Sequence, residues 1–358
     1  IIRFFLFMCV FYTKLSKSQK KRMRIICVIF RNNIYIFPEK KYFREYKLNY
    51  MKILGLNLGH DSSCAIIVNN KLLAATEQER YSKRKHTREF PLEAIKDCLK
   101  LSKLRIQDID IVSIGFLPER YLKEFFFKPI INDLKKTNFI FEGIQRIKDN
   151  LNIENTIRSK LNFKKKIEFH SHHYCHLLST YYLSGFKKSL VVSIDGLGEI
   201  ESGLYGLGKN DNLKLLPYSN KFPNSFGLIY SAITYFLGWK AFYDEGIVMG
   251  LAPYGDPNKK IPNSKYTYKQ IFKKIIKYNG KTDYNIDLDW IRYHQERNYW
   301  ISEKFIKLFG KPRKYNSKIT NHHKNIAAAL QNRIEDVFIN ILKYLKNKTK
   351  KNYLSLAG

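Results

Sequence analysis

From Met51 onward, short apolar runs alternate with polar breaks: ILGLNLG over 53–59, SCAIIV over 63–68, a pause at Asn69-Asn70, then LLAAT over 72–76. This pattern predicts three strands in succession, because paired asparagines tolerate positive φ in a tight turn between apolar runs. Phe90-Pro91 then opens a helix from Leu92 to about Leu101, with Ala94, Ile95, Cys98 and Leu99 along one face. IDIVSIGF over 109–116 reads as a buried strand, and the Lys- and Phe-rich 118–168 as a helical insertion. A second cycle starts at 166 with strand KIEFH, a helix from His172 to Leu183, strands over 189–196 and 202–208, and a helix FGLIYSAITYFLGW after Ser225. The Gly-rich GIVMGLAPYGDP (246–257) reads as a loop, 258–316 as a basic, aromatic insertion, and 325–348 as a long amphipathic helix leading into a last strand, NYLSLAG. Strand-rich cycles that occur twice, each with helices, predict an α/β fold with mixed sheets.

The chain has 358 residues and is 44% hydrophobic, enough to build real cores, which excludes wholesale disorder. Its 64 Lys plus Arg against 31 Asp plus Glu give +33, a balance that by itself suggests a nucleic-acid or anionic-membrane partner. The distribution argues otherwise. There are 48 Lys and 16 Arg beside abundant Asn, Ile, Tyr and Phe, all residues with A/T-rich codons, and the charges are spread along the chain instead of forming one stripe. No nucleic-acid partner is expected. Residues 1–50 carry twelve Lys/Arg and two Asp/Glu without a sustained amphipathic period, and read as a non-domain extension, translated upstream of a natural start at Met51. Their apolar stretch from Phe4 to Tyr12 falls well short of the ~20 residues that span a bilayer, so no membrane association is expected. Only Cys64, Cys98 and Cys175 follow Met51, with no CxxC, which favours a reducing cytoplasm.

Four motifs carry candidate chemistry. HSHHYCH places four histidines in seven residues, at 170, 172, 173 and 176. On a helix His172 and His176 are i and i+4, one above the other on one face, the spacing at which two imidazoles share a metal; histidines merely capping or decorating a helix are the bland alternative. A third ligand must come from elsewhere, and Asp195, at the end of a strand and before Gly196, sits where an α/β sheet presents carboxylates. The surrounding IDGLGE offers Asp195 and Glu199 to a cation or a hydroxyl, although an Asp-Gly turn between strands is commonly only a hairpin. GHDSS (59–63) sets Asp61 and Ser62 directly after the first strand, suited to orienting phosphate or metal, or forming a plain turn. EQERYSKRKH (77–86) offers Arg80, Lys85 and His86 as an anion clamp, or as a solvated loop.

In combination these motifs resemble the O-carbamoyltransferases of the nodulation protein U and antibiotic-carbamoylating type. The resemblance lies in ILGLNLGHDSSCAIIVNNKLLAATEQERYSKRKH, HHYCH, IDGLGE, NSFGLIYSAITYFLGW, GIVMGLAPYGDP, and HHKNIAAALQ running into NYLSLAG, and spans most of 51–358. It implies an actin-like ATPase (RNase H-like) fold, a duplicated mixed sheet, with a first lobe over 51–165 and a second region over 166–358. It also implies transfer of a carbamoyl group from carbamoyl phosphate, activated with ATP as carbamoyl-adenylate, to a hydroxyl of a sugar or other small molecule. A bound divalent metal such as iron is implied, with His172 and His176 matching the metal-binding histidines and Asp195 as carboxylate ligand. Asp61 beside His60 matches the acceptor-binding region and would take the hydroxyl proton; Lys85 and His86 would neutralise phosphate or orient acceptor hydroxyls. Ile247 stands where the family usually has a lysine before VMGLAPYG. The family continues beyond Ala357-Gly358 into further motifs and a domain that makes carbamoyl-adenylate. The expectation is therefore a fragment or one half of a split enzyme, its second lobe incomplete. Two other readings compete: a tRNA threonylcarbamoyl-adenosine synthase of the same fold, and a non-catalytic metal- or nucleotide-binding remnant.

Overall fold

The structure is a computed structural model that describes residues 24–25, 51–127, 143–296 and 299–358. The extension 1–50 lies outside the described residues except for Arg24 and Ile25, and so does 128–142 of the helical insertion. The described residues form two compact units, one of 51–127 and 143–175, the other of 24–25, 176–296 and 299–358.

In the first unit β1 (Lys52–Asn57), β2 (Ser63–Val68) and β3 (Lys71–Glu77) form an antiparallel meander. Asn69 and Asn70 turn the second hairpin at φ 51° and 63°, the left-handed conformation that asparagine tolerates. Helix α1 (Leu92–Leu101) buries Ala94, Ile95 and Cys98, the face the spacing predicts. Strand β4 (Ile111–Ile114) then runs parallel to β1, and β5 (Lys166–Phe169) parallel to β4, giving the order β3-β2-β1-β4-β5. Leu54, Leu56, Ile66, Val112 and Ile114 meet the α1 face in one core, each buried aliphatic chain contributing roughly 1.5–3 kcal/mol.

Helix α2 (His172–Leu183) follows. The second unit repeats the pattern: β6 (Lys188–Ile194), β7 (Glu201–Lys209) and β8 (Asn212–Lys221) form a second meander. Helices α3 (Phe226–Phe236), α4 (Glu245–Leu251), α5 (Tyr268–Ile275) and the 29-residue α6 (Asn321–Thr349) pack into its core. Strand β9 (Tyr353–Ala357) then lies parallel to β6 on the side away from β7, with the two-residue strand Arg24–Ile25 beyond it. A three-stranded meander whose first strand pairs in parallel with a later one thus occurs twice. This is the duplicated mixed sheet of the actin-like ATPase (RNase H-like) class.

One expectation fails in the second unit. GIVMGLAPYG is helical over its first half, not a loop: α4 buries Val248 and Met249, and a 3-10 turn follows at Ala252–Tyr254. Packing against α6 outweighs the helix cost of Gly246 and Gly250, about 1 kcal/mol each. Within 258–316, read as a basic, aromatic insertion, Tyr268, Phe272, Tyr284, Trp290, Trp300, Phe305 and Phe309 all belong to the main core. Among the described residues no helix is long and apolar enough to cross a membrane.

Candidate functional site

Helix α2 is fastened to the second unit through its later turns. Leu177 is fully buried, Thr180 Oγ1 donates to the Leu356 carbonyl of β9 (3.2 Å), and Tyr181 Oη donates to the carbonyls of Lys187 (3.2 Å) and Asn210 (2.8 Å). This anchoring holds His176 opposite the end of β6, where Asp195 follows Ile194. His176 Nε2 lies 3.3 Å from Asp195 Oδ2, and the carboxylate is largely buried at 16% exposure. His172 stands one turn earlier on the same continuous helix, and one donor atom from each of the three lies within 4.8 Å of the others.

The turn carrying Asp195 is braced from below. Its N–H donates to the Ser202 carbonyl (3.1 Å), and Ser225 Oγ, which caps α3 by accepting from Leu228 N–H (3.0 Å), donates to the carbonyls of Asp195 (3.2 Å) and Gly196 (2.6 Å). Gly227 lets the first turn of α3 approach this close: a Cβ there would stand 2.5 Å from Gly196 Cα and 2.9 Å from the Asp195 carbonyl carbon. Glu199, in the same β6–β7 connection, is wholly buried and is not one of the three donors of this group.

A second group lies entirely within the first unit. His60 Nδ1 is 2.8 Å from Asp61 Oδ2, and His86 Nδ1 is 2.7 Å from Asp61 Oδ1, so one carboxylate accepts from two imidazoles. The rings stack with centroids 5.0 Å apart. Two loops distant in sequence are stitched together to make this contact: Ser62 N–H donates to the Thr87 carbonyl (3.1 Å) and Gln78 N–H to the Ser62 carbonyl (2.9 Å). Asn57 Nδ2 donates to the carbonyls of His60 (2.9 Å) and Asp61 (3.0 Å), while Glu79 Oε2 accepts from the His86 N–H (3.1 Å). Asp61 and His86 both adopt left-handed backbone, φ 60° and 56°, a conformation costly for residues with a Cβ. Partial burial alone would raise the Asp61 carboxyl, but the hydrogen bonds and charges of His60 and His86 outweigh it and hold it at about 2.

Of the residues singled out by sequence, the structure therefore brings together His172, His176 and Asp195, and separately His60, Asp61 and His86. Lys85 is exposed beside His86 and joins neither group, and Arg80 pairs with Glu77 and Glu79. Ile247 is 46% exposed on α4. Asn57, Glu79 and Ser225 are supporting residues that sequence spacing does not reveal, since each acts through a contact between loops.

Residues 52–358 match the family described as carbamoyltransferase N-terminus. The chain belongs to that family. Among relatives of this carbamoyltransferase-family chain, nodulation protein NolNO of Sinorhizobium fredii is 29% identical over 308 residues, 84% of this chain and 40% of the relative. Nodulation protein NolO of Bradyrhizobium diazoefficiens is 34% identical over 190 residues, 52% of this chain and 30% of the relative. An uncharacterized protein of Synechocystis is 28% identical over 322 residues, 86% of this chain and 50% of the relative. The chain thus spans half or less of the length of these relatives.

Proposed function

We propose that this chain is the N-terminal part of an O-carbamoyltransferase, acting with a carbamoyl-adenylate-forming domain to move a carbamoyl group from ATP-activated carbamoyl phosphate to a hydroxyl of a sugar or other small molecule. The observation that carries the reading is the family match over 52–358, which encloses a two-imidazole, one-carboxylate group at His172, His176 and Asp195. The greater length of the relatives supports a further domain that forms the adenylate.

That donor set suits iron or a similar divalent transition metal, because imidazoles with one carboxylate leave coordination positions open. When bound there, such a metal supplies Lewis acidity toward a carbamoyl oxygen. His172 and His176 present their nitrogens from one helix face, and Asp195, braced by Ser202 and Ser225, brings the negative charge that favours a cation. On the acceptor side, Asp61 stays ionised at neutral pH and is too weak a base to take a hydroxyl proton itself. Its carboxylate instead orients His60 and His86, and His60 takes the proton while Asp61 stabilises the imidazolium. Lys85, exposed beside His86, offers a cation to phosphate.

The test is consumption of carbamoyl-adenylate by the metal-loaded chain, which needs no knowledge of the acceptor because water competes for the carbamoyl group. Metal-dependent release of AMP, abolished in His176→Ala and Asp195→Asn, is the expected result. Folded, metal-loaded protein that neither binds nor consumes carbamoyl-adenylate, alone or with the adenylate-forming part of a nodulation relative, overturns the reading.

A further inference from the structure

We propose that a basic, aromatic-walled cavity in the second unit, between α5, the 3-10 turn Leu288–Trp290 and the helix Glu303–Phe309, is a binding site for an aromatic phosphate monoester. Its volume is about 510 Å³, within the ~300–1,000 Å³ of small-molecule sites and far more than a bare phosphate fills. None of the residues assigned above to carbamoyl transfer lines it, so the inference does not rest on that reading.

Helix periodicity builds the site. On Glu303–Phe309, Phe305 and Phe309 turn into the core, which leaves Lys304, Lys307 and Leu308, at i, i+3 and i+4, along the cavity side. The i, i+3 spacing on α5 likewise brings Ile271 and Lys274 to the lining. Ser302 Oγ caps the later helix by accepting from Phe305 N–H (3.2 Å), and Trp290, 6% exposed, meets the Phe305 ring edge-on, so the wall has a packed core behind it.

The charge is concentrated beyond what composition supplies. Lysine makes up 48 of the 358 residues, so eight lining positions would hold about one by composition; this cavity holds three and, among the described residues, no acidic one. Two of the ammonium groups stand over the rings, Lys274 Nζ 3.9 Å from the Tyr266 centroid and Lys304 Nζ 4.8 Å from that of Trp290. Lys304 also reaches the exposed Asp289 (3.0 Å), whereas Lys274 and Lys307 have no carboxylate partner among the described residues. A phosphate dianion answers this excess, because it offers each compact ammonium charge a separate oxygen.

The walls select the rest of the ligand. Apart from the lysines they are two aromatic rings and the branched chains of Ile271 and Leu308, with Ser264, the Tyr266 hydroxyl and the Trp290 N–H as the only uncharged polar side-chain groups of the lining. A sugar would leave most of its hydroxyls without partners there, while a flat ring gains apolar burial and aromatic contact.

The experiment titrates the full chain with phenyl phosphate, and in parallel with inorganic phosphate and with phenol, by calorimetry and by tryptophan fluorescence, since Trp290 lines the cavity. One equivalent of phenyl phosphate should bind, more tightly than either fragment, with an affinity that falls as salt rises. Lys274→Gln/Lys307→Gln should weaken binding roughly tenfold or more. Lys343→Gln/Lys348→Gln removes the same charge from exposed positions of α6 and should bind as the wild type does. All four lysines are exposed, so both double variants should keep the wild-type Tm. Absence of binding, equal loss in the two double variants, or no loss in the first overturns the site. Inorganic phosphate bound as tightly as phenyl phosphate refutes the aromatic body. An RNA oligomer that displaces phenyl phosphate with steep salt dependence would make the cavity part of a nucleic-acid path and overturn the small-molecule assignment.

Discussion

Gly227→Ala is the substitution that most directly couples the fold to the candidate metal group. The added methyl would sit 2.5 Å from Gly196 Cα, 2.6 Å from Gly196 N and 2.9 Å from the Asp195 carbonyl carbon. Carbon atoms in contact prefer about 3.5–4.0 Å, so the turn and the helix must separate by roughly 1 Å. All three obstacles are backbone, so no rotamer change relieves them. The turn cannot retreat alone, because Ser225 Oγ holds the carbonyls of both Asp195 and Gly196. Overpacking of this kind costs about 1–3 kcal/mol, which for a chain of this size lowers Tm by roughly 2–10 °C. Displacing Asp195 by ~1 Å also exceeds the ~0.2 Å tolerance of metal–ligand distances. The variant should therefore bind the metal at His172 and His176 far more weakly than a destabilised control such as a surface Gly250→Pro protein of equal Tm. Calorimetric Tm and Co²⁺ titration check both effects. A variant with unchanged Tm and unchanged affinity would show that the close approach of α3 does not position Asp195.

The remaining expectations concern acid stability and the core. Asp61 has a folded pKa of about 2 against its ordinary 3.8, so its stabilisation is fully present above pH 3.8 and is lost as pH falls through about 2. The shift corresponds to roughly 2.4 kcal/mol by linkage; with the carboxylate 43% exposed, solvent screening reduces this to about 1 kcal/mol. Urea unfolding of Asp61→Asn beside wild type should show that gap at pH 5 and its closure near pH 2, and a gap independent of pH refutes the assignment. Phe272→Ala, at a fully buried site on α5, should cost about 3–5 kcal/mol, readable in chemical denaturation. A loss below 1 kcal/mol would refute the place of Phe272 in the main core.

What was legible in the sequence was local. The meander over 52–77 follows from alternation and an Asn-Asn turn, and the α1 face from i, i+3, i+4 spacing; the His172–His176 pair needs only a helix. The α4 helix was hidden because Gly246, Gly250 and Pro253 are breakers in isolation, and only the burial of Val248 and Met249 against α6 overrides them. That the aromatic residues of 258–316 enter the main core was masked by the lysines interleaved among them, which point outward while the rings turn in, as where Lys304 lies over the Trp290 ring. The meeting of Asp61 with His86 was illegible for a different reason: 25 residues separate them, and their contact depends on the Ser62–Thr87 hydrogen bond between loops. Of the anion clamp read in 77–86, His86 turned instead to the Asp61 carboxylate.

The left-handed backbone at Asp61 and His86 has a consequence for anyone who breeds this protein for robustness. Asparagine and glycine occupy that conformation more comfortably than aspartate or histidine, so a selection that rewards survival on heating will favour them at both positions. Hardier variants enriched in such a screen would have traded away the carboxylate and the imidazole together. Positions 61 and 86 should be held fixed in any such library, and their drift would serve as an early sign that the selection had stopped asking for chemistry.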